Sequence, residues 1–145
     1  MQPTPKTIKL IQSFEGISLR SYLCPAGVWT VGFGNTRHAH PNQTITQDEA
    51  EAFLLEDLDD TINQIHKALP TFDKLTENQQ TALISFVFNL GIGNFNASTL
   101  KKKILANPED ISIATEFLRW DKANGKPLPG LTKRRKAESD LWLKP

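Results

Sequence analysis

The feature that most constrains the fold is a nearly continuous apolar run, ALISFVFNL, at residues 82–90. Thr76, with Gln79 three residues later, has the capping-box pattern that begins a helix. A helix that is apolar on almost every side is stable only where other elements cover it. The run therefore predicts a buried central helix that ends at Gly91, with the rest of the chain packed around it.

Three smaller apolar groups at helical spacing follow the central run. They predict short helices around residues 100–105, 113–120 and 137–142. Gly93, close behind Gly91, separates the first of them from the central helix. The C-terminal hundred residues are therefore expected to be mainly helical.

The N-terminal segment begins with a helix signal and then changes its period. Pro5 suits the first helical position, where its missing N–H would be unpaired anyway, and Gly16 ends the predicted helix. Between residues 18 and 46 the short segments SLRSYL and VWTVGF flank a Pro-Ala-Gly turn. These segments predict a small antiparallel sheet.

Thr46 and Glu49 form a second capping pattern, and apolar residues then recur at helical spacing as far as Pro70. Strands early in the chain and helices later indicate an α+β fold. We expect one domain, residues 1–145, with a small N-terminal lobe of about residues 15–60 and a helical lobe built from 1–14 plus 61–145. A substrate cleft is expected between the lobes.

Composition excludes several classes of protein. The chain has 145 residues, of which 39% are hydrophobic and 23% charged, in the range of ordinary globular domains. No apolar run approaches the roughly 20 residues of a membrane span, so stable membrane insertion is not expected. The N-terminus lacks the features of a secretory signal peptide. A single cysteine, Cys24, cannot form an internal disulfide, which agrees with synthesis in a reducing cytoplasm.

A carboxylic acid, a thiol and a hydroxyl lie close together in residues 14–36, FEGISLRSYLCPAGVWTVGFGNT. The order is Glu15, eight residues, Cys24, five residues, Thr30, and then Gly-Phe-Gly. This segment resembles the active-site segment of bacteriophage-type lysozymes, the endolysins of glycoside hydrolase family 24, in the subgroup with Cys at the middle position. TENQQTALISFVFNLGIGNF and LPGLTKRRKAESDLWL resemble the central and last helices of that family, so the resemblance covers nearly the whole chain.

The resemblance implies a lysozyme-like fold and hydrolysis of the β-1,4 bond between N-acetylmuramic acid and N-acetylglucosamine in peptidoglycan. Such hydrolysis needs an acid that protonates the leaving oxygen and a group that attacks the sugar or positions water. By resemblance, Glu15 is the general acid, and Cys24 and Thr30 position and activate the water.

Cys24 leaves several roles open. A free thiol has a pKa near about 8.5 and is mostly protonated at neutral pH, which makes it a poorer base than aspartate. It could orient or deprotonate the water, or form a covalent thioglycosyl intermediate. An unpaired cysteine is also commonly a small buried apolar residue. The resemblance, which implies inversion through an attacking water, favours the first role.

The candidate substrate-binding residues are Gly32, Phe33, Asn35 and Arg134. Gly32 and Gly34 leave one strand face without side chains, as occurs where a ligand or another backbone comes close, or at a bulge. Asn35 stands where relatives frequently have a histidine. Arg134 aligns with an arginine that pairs with the catalytic glutamate in related lysozymes, although Arg135 is close enough to change the register.

Two other classes of function compete with this interpretation. The basic run KRRK at residues 133–136 is typical of a solvated helix face, but it could also attract anionic wall polymers or nucleic acid. The acidic residues clustered in 48–60 and the net charge of +1 count against nucleic acid. A catalytically inactive peptidoglycan-binding protein with the same fold is the main alternative.

Neither a metal nor a cofactor is expected, because His38 and His40 have no third ligand at suitable spacing. The expected partner is the peptidoglycan glycan strand, bound by a monomer. The resemblance implies synthesis in the host cytoplasm, release by a holin, and action on periplasmic peptidoglycan that lyses the host cell.

Overall fold

The computed structural model describes residues 3–145, which divide into two compact units, one up to Asp60 and one from Thr61. The helices and strands of these residues follow in chain order. They are α1 (Pro5–Glu15), β1 (Ser18–Leu23), β2 (Trp29–Gly32), α2 (Gln47–Ala68), a 3-10 turn (Phe72–Lys74), α3 (Glu77–Leu90), α4 (Ile92–Asn96), α5 (Thr99–Ala106), α6 (Ile113–Leu118), β3 (Lys122–Ala123), β4 (Lys126–Pro127) and α7 (Pro129–Leu143). Among these residues no helix combines the length and apolar character that crossing a membrane requires.

The N-terminal unit forms as its local signals predict. Helix α1 begins at the predicted proline, and the Gly16 N–H bonds Gln12 O (3.2 Å) where the helix ends. Strands β1 and β2 are antiparallel, with Tyr22 opposite Thr30. Thr44 forms an isolated antiparallel bridge to β1. The predicted small sheet is confirmed.

Helix α2 begins with the predicted capping box, in which Thr46 and Glu49 bond each other's backbone N–H groups at 3.0 and 3.1 Å. Its apolar stripe is buried at Ala50, Leu54 and Leu58. The boundary between the two units falls within this helix.

The C-terminal unit is built around α3, whose capping box at Thr76 and Gln79 is present. Helix α3 packs against α7 and α4, and α7 packs against α6. Phe86 on α3 has edge-on contacts with Phe117 (ring centroids 5.6 Å apart) and Trp120 (5.8 Å). The prediction of a buried central helix is confirmed.

The elements of this unit that were not predicted from the sequence are the 3-10 turn (Phe72–Lys74), helix α4 and the hairpin of β3 and β4. The five-residue α4 follows Gly91 directly, and a short hairpin joins β3 to β4. The hairpin turn has Asn124 at φ 52° and Gly125 at φ 80°. An Asn-Gly pair with two positive φ angles is the usual two-residue hairpin turn, so this signal was present in the sequence.

The basic run at residues 133–136 does not form a fully solvated helix face, although such runs typically do. Arg134 is 4% exposed and Arg135 is fully buried, whereas Lys133 and Lys136 are exposed. The interpretation as a solvated face is therefore wrong for both arginines. They lie on the side of α7 that packs against α3 and α6, where buried polar side chains accept their hydrogen bonds.

Candidate active site

Glu15 is the last residue of α1, and its carboxyl group lies beside a glycine of the following hairpin. Gly16, with φ 66°, ends the helix directly after it. A Cβ atom added to Gly34 would lie 3.6 Å from Glu15 Oε1, and Gly34 itself has φ 83°. The lack of a side chain at Gly34 therefore leaves the space next to the carboxyl group open.

Cys24 begins the turn that joins β1 to β2. The Gly27 N–H bonds Cys24 O (2.8 Å), and the Cys24 N–H bonds Val28 O (3.0 Å). Pro25 occupies the second turn position, which its fixed φ suits, and Gly27 has the positive φ (79°) that follows such a turn in a three-residue hairpin loop. The turn thus holds the thiol at the tip of the hairpin, partly exposed.

The pKa of the Cys24 thiol is lowered from its ordinary value. The main cause is a hydrogen bond from the Val28 backbone N–H, followed by one from Ala26, and the Thr30 hydroxyl adds a smaller contribution. The slight burial of the sulfur opposes these effects. A lowered pKa increases the fraction of thiolate at neutral pH, and the thiolate is the basic and nucleophilic form.

Thr30 lies in β2 with 5% of its surface exposed, and its Oγ1 is also 3.1 Å from Val28 O. Its hydroxyl donates to Val28 O and lies near enough to the Cys24 sulfur to help lower the pKa of the thiol. The structure therefore brings together two of the three predicted catalytic side chains.

Residues 31–35 form a tight loop after β2. Val31 and Asn35 exchange two backbone hydrogen bonds, both 2.9 Å long. A Cβ atom on Gly32 would lie 3.4 Å from Ala50 Cβ on α2, and Phe33 is 6% exposed. Gly32 thus permits close packing against α2, while Gly34 permits the approach of Glu15.

Asn35 is 1% exposed, and both of its side-chain polar atoms have partners within the loop and α2. Its Nδ2 donates to Asp57 Oδ2 (2.9 Å), and its Oδ1 accepts from the His38 N–H (2.9 Å). The Asn35 side chain therefore makes a polar contact with α2.

Asp57 is a residue that the sequence did not single out, since it is one of many carboxylates on α2. Burial raises the pKa of its carboxyl group, and the hydrogen bond from Asn35 and the charge of Arg37 oppose that rise. Only the fold determines which of these carboxylates faces the loop.

Arg134 lies in the C-terminal unit and donates to Ser85 Oγ and Ser85 O, both at 3.2 Å. Its neighbour Arg135 is paired with Glu138, with Nε 2.7 Å from Oε1 and Nη2 2.9 Å from Oε2. Burial raises the pKa of Glu138, and Arg135 and Ser85 oppose the rise. The pairing of Arg134 with Glu15 stays a prediction.

The two loop histidines have separate surroundings. His38 pairs with Glu56 and stacks on Phe53, with ring centroids 4.4 Å apart. His40 Nδ1 lies 3.2 Å from Pro41 O. Across the part of the chain that the structure describes, no group of three or more His, Cys, Asp or Glu residues is arranged to hold a metal ion.

Comparison with known proteins gives one consistent family. The family model for phage lysozyme matches residues 12–138. An endolysin of Acyrthosiphon pisum secondary endosymbiont phage 1 is 47% identical over 149 residues, covering 98% of both chains. The muramidase domain of SpmX from Asticaccaulis excentricus has a TM-score of 0.88 at 32% identity, and a mutant of P22 lysozyme has 0.84 at 31%. Each structural match covers 99% of both chains.

Proposed function

Because the chain belongs to the phage lysozyme family, we propose that it is an endolysin that hydrolyses the β-1,4 bond between N-acetylmuramic acid and N-acetylglucosamine in peptidoglycan. Its α+β fold is that of the lysozyme-like muramidase domains. The observation that supports the proposal best is local. The Glu15 carboxyl group lies beside the glycine loop that follows β2, and on the preceding hairpin a threonine hydroxyl and backbone N–H groups lower the pKa of a thiol.

Glu15 is proposed as the general acid that protonates the leaving oxygen. Gly16 ends α1 immediately after it, so the carboxyl group projects from a helix end. Gly34 places backbone without a side chain next to Oε1, which leaves room for a sugar oxygen to approach.

Cys24 and Thr30 are proposed to position and activate the water that attacks the sugar from the opposite face. Hydrogen bonds, mainly from the Val28 and Ala26 backbone, lower the thiol pKa, so the thiolate can accept a proton from that water near neutral pH. The Thr30 hydroxyl, held in β2 by its hydrogen bond to Val28 O, is proposed to hold the same water beside the sulfur. Reaction through water inverts the configuration at the anomeric carbon.

The four candidate substrate-binding residues are all buried. The burial of Gly32, Phe33 and Asn35 favours a role in supporting the glycine loop. Arg134 is buried as well, and its two hydrogen bonds to Ser85 favour a supporting role inside the C-terminal unit. Substrate contact at this loop is assigned to the exposed Gly34.

In the cell, we propose that the protein acts as a monomer and reaches peptidoglycan through a pore formed by a holin. Cleavage of the glycan strands then removes the mechanical support of the envelope, and the host cell lyses. This step is supported by the endolysin that is 47% identical to the chain and aligns with 98% of it.

The test compares wild-type protein with Glu15→Gln on purified peptidoglycan. The amide has nearly the same size but cannot donate the proton, so release of reducing ends should fall roughly 10²- to 10⁴-fold. The matched control is Glu51→Gln, an exposed glutamate of the same unit, which should keep full activity. Circular dichroism checks that all three proteins are folded.

Two outcomes contradict the proposal. A folded Glu15→Gln protein with full activity would remove Glu15 from the mechanism. A wild-type protein that binds peptidoglycan but releases no reducing ends would indicate the inactive wall-binding protein instead.

A further inference from the structure

Besides the stacking of His38 on Phe53, three polar side-chain contacts attach the segment after β2 to helix α2, and they differ in burial. Arg37 pairs with Asp60 and His38 with Glu56, and the side chains of both pairs are 38–53% exposed. The contact between Asn35 and Asp57 is the part-buried one, since Asn35 is 1% exposed. Exposed ion pairs contribute little to a fixed geometry, whereas a buried hydrogen bond holds its groups in place.

The buried contact is connected to Glu15 by a short path. Asp57 Oδ2 accepts from the Asn35 side chain, and the Asn35 backbone closes the loop onto Val31 through two hydrogen bonds of 2.9 Å. Gly34, the residue before Asn35, is the one that meets the Glu15 carboxyl group. Thr30 directly precedes Val31, so both ends of this loop adjoin residues of the proposed site.

We infer that Asp57 and Asn35 are a positioning pair, which fixes residues 31–35 so that Gly34 and Thr30 keep their places relative to the Glu15 carboxyl group. The inference rests on the proposed function of Glu15. It gives Asn35 a role inside the protein rather than contact with substrate, and it adds Asp57, which lies outside the motif. Neither residue touches the reacting atoms.

The polarity of this hydrogen bond allows a direct test on a soluble dye-labelled peptidoglycan fragment. Asn35→Asp places two carboxylates against each other, so it should lower kcat about tenfold and change KM less than about twofold, as expected for misplacement of a catalytic group. Asp57→Asn keeps an oxygen that accepts from Asn35, and kcat should stay within about threefold of wild type.

The double variant N35D/D57N reverses the bond, because the new amide at position 57 donates to the new carboxylate at position 35. The carboxylate can still accept from the His38 N–H. We therefore expect the double variant to recover most of the kcat that N35D loses, a non-additivity that shows direct coupling. The matched control is Asp60→Ala, which removes an exposed contact of the same segment and should leave kcat unchanged.

The kcat of folded protein, assayed well below the melting temperature, separates positioning from support of the fold alone. An Asn35→Asp protein with a lower Tm but normal kcat would overturn the inference, as would a double variant no better than N35D. If N35D does not fold, Asp57→Leu removes the acceptor without burying a charge and should show the same fall in kcat. Failure of the proposed function is distinguishable, because then the wild type itself releases no product.

Discussion

Arg135 and Glu138 in the C-terminal unit have no exposed surface and bond each other, whereas Glu15 and Cys24 in the N-terminal unit are partly exposed. Ser85 completes the buried group by donating to Glu138 Oε2 at 2.6 Å. In the N-terminal unit, backbone N–H groups and a threonine hydroxyl act on the thiol instead. Both regions hold reactive or charged groups by hydrogen bonds, but only the first removes them from solvent.

This difference predicts different consequences of mutation. A buried charge depends on its partner for folding, because leaving it alone in a low-dielectric interior is costly. A partly exposed thiol or carboxyl group can still be solvated, so its loss leaves the fold nearly unchanged. Substitutions in the C-terminal cluster should therefore reduce stability, and those at the proposed site should reduce turnover.

The largest effect is expected for Glu138→Ala, which leaves the fully buried Arg135 without its carboxylate. Removing one partner of a buried pair costs about 3–5 kcal/mol, so the free energy of unfolding in urea should fall by that amount. The control is Asp140→Ala on the same helix, whose partner Lys136 is 4.0 Å away and exposed. Its loss should cost less than about 0.5 kcal/mol. If the two substitutions lowered the free energy of unfolding equally, burial would not explain why charged groups in the C-terminal unit matter for stability.

The next effect concerns Cys24 and is kinetic. Cys24→Ala removes the proposed base and should lower kcat about tenfold to hundredfold, while Cys24→Asp, which restores an ionisable acceptor, should keep most of the activity. The stability of both variants should stay close to that of the wild type, because the side chain is partly exposed. Rates of reducing-end release and urea melts measure the two quantities.

Alkylation provides an independent check on the same thiol. Iodoacetamide should inactivate the wild type and leave Cys24→Asp active, since Cys24 is the chain's single cysteine. An unchanged rate in the Cys24→Ala protein would show that Cys24 has only a structural role. Cys24 would then resemble the buried residues of the C-terminal cluster, which support the fold.

The sequence was sufficient to predict what depends on local pattern. The capping boxes at Thr46 and Thr76 begin α2 and α3, and Gly16 ends α1, because these effects involve residues only a few positions apart. Glu15, Cys24 and Thr30 were singled out by the resemblance of residues 14–36 to a family motif, and the structure brings the Thr30 side chain close enough to influence the Cys24 thiol.

Other features depend on contacts between distant residues. Arg134 and Arg135 appear in the sequence as part of a surface run. Ser85, the partner of Arg134, lies some fifty positions earlier, and only the packing of α7 on α3 brings it close. Asp57 could not be distinguished from the neighbouring carboxylates of α2, since its neighbour Asn35 is 22 positions away. The Asn-Gly turn between β3 and β4 is different, as its signal was local and was overlooked.

Asp57 is neither fully buried nor fully exposed, so its substitution should change the free energy of unfolding by an intermediate amount that depends on pH. Burial raises its pKa in the folded protein, so the folded state holds this proton more tightly than the unfolded chain does. The resulting stabilisation is complete below the unfolded pKa of about 4 and is lost as the pH rises through the raised folded value.

Asp57→Asn should therefore be at least as stable as wild type at pH 7, and the difference should disappear near about pH 3.5. We expect this difference in the free energy of unfolding to be less than about 1 kcal/mol, because the Asp57 side chain is partly exposed and solvent screens its charge. Urea melts from pH 3.5 to 7 measure it, with Asp60→Asn as the control. A variant that is less stable than wild type at pH 7 would show that the ionised carboxylate stabilises the fold, as the C-terminal pair does.

The smallest effect is expected where both charges are exposed. Arg37 and Asp60 keep 53% and 48% of their side-chain surface exposed, so water replaces either partner at little cost. Asp60→Ala should change the free energy of unfolding by less than about 0.5 kcal/mol, and 0.5 M salt should remove even that difference. A loss above about 1 kcal/mol, insensitive to salt, would mean that this pair behaves as a buried one. The contrast between the units would then depend on the geometry of each pair and not on its exposure.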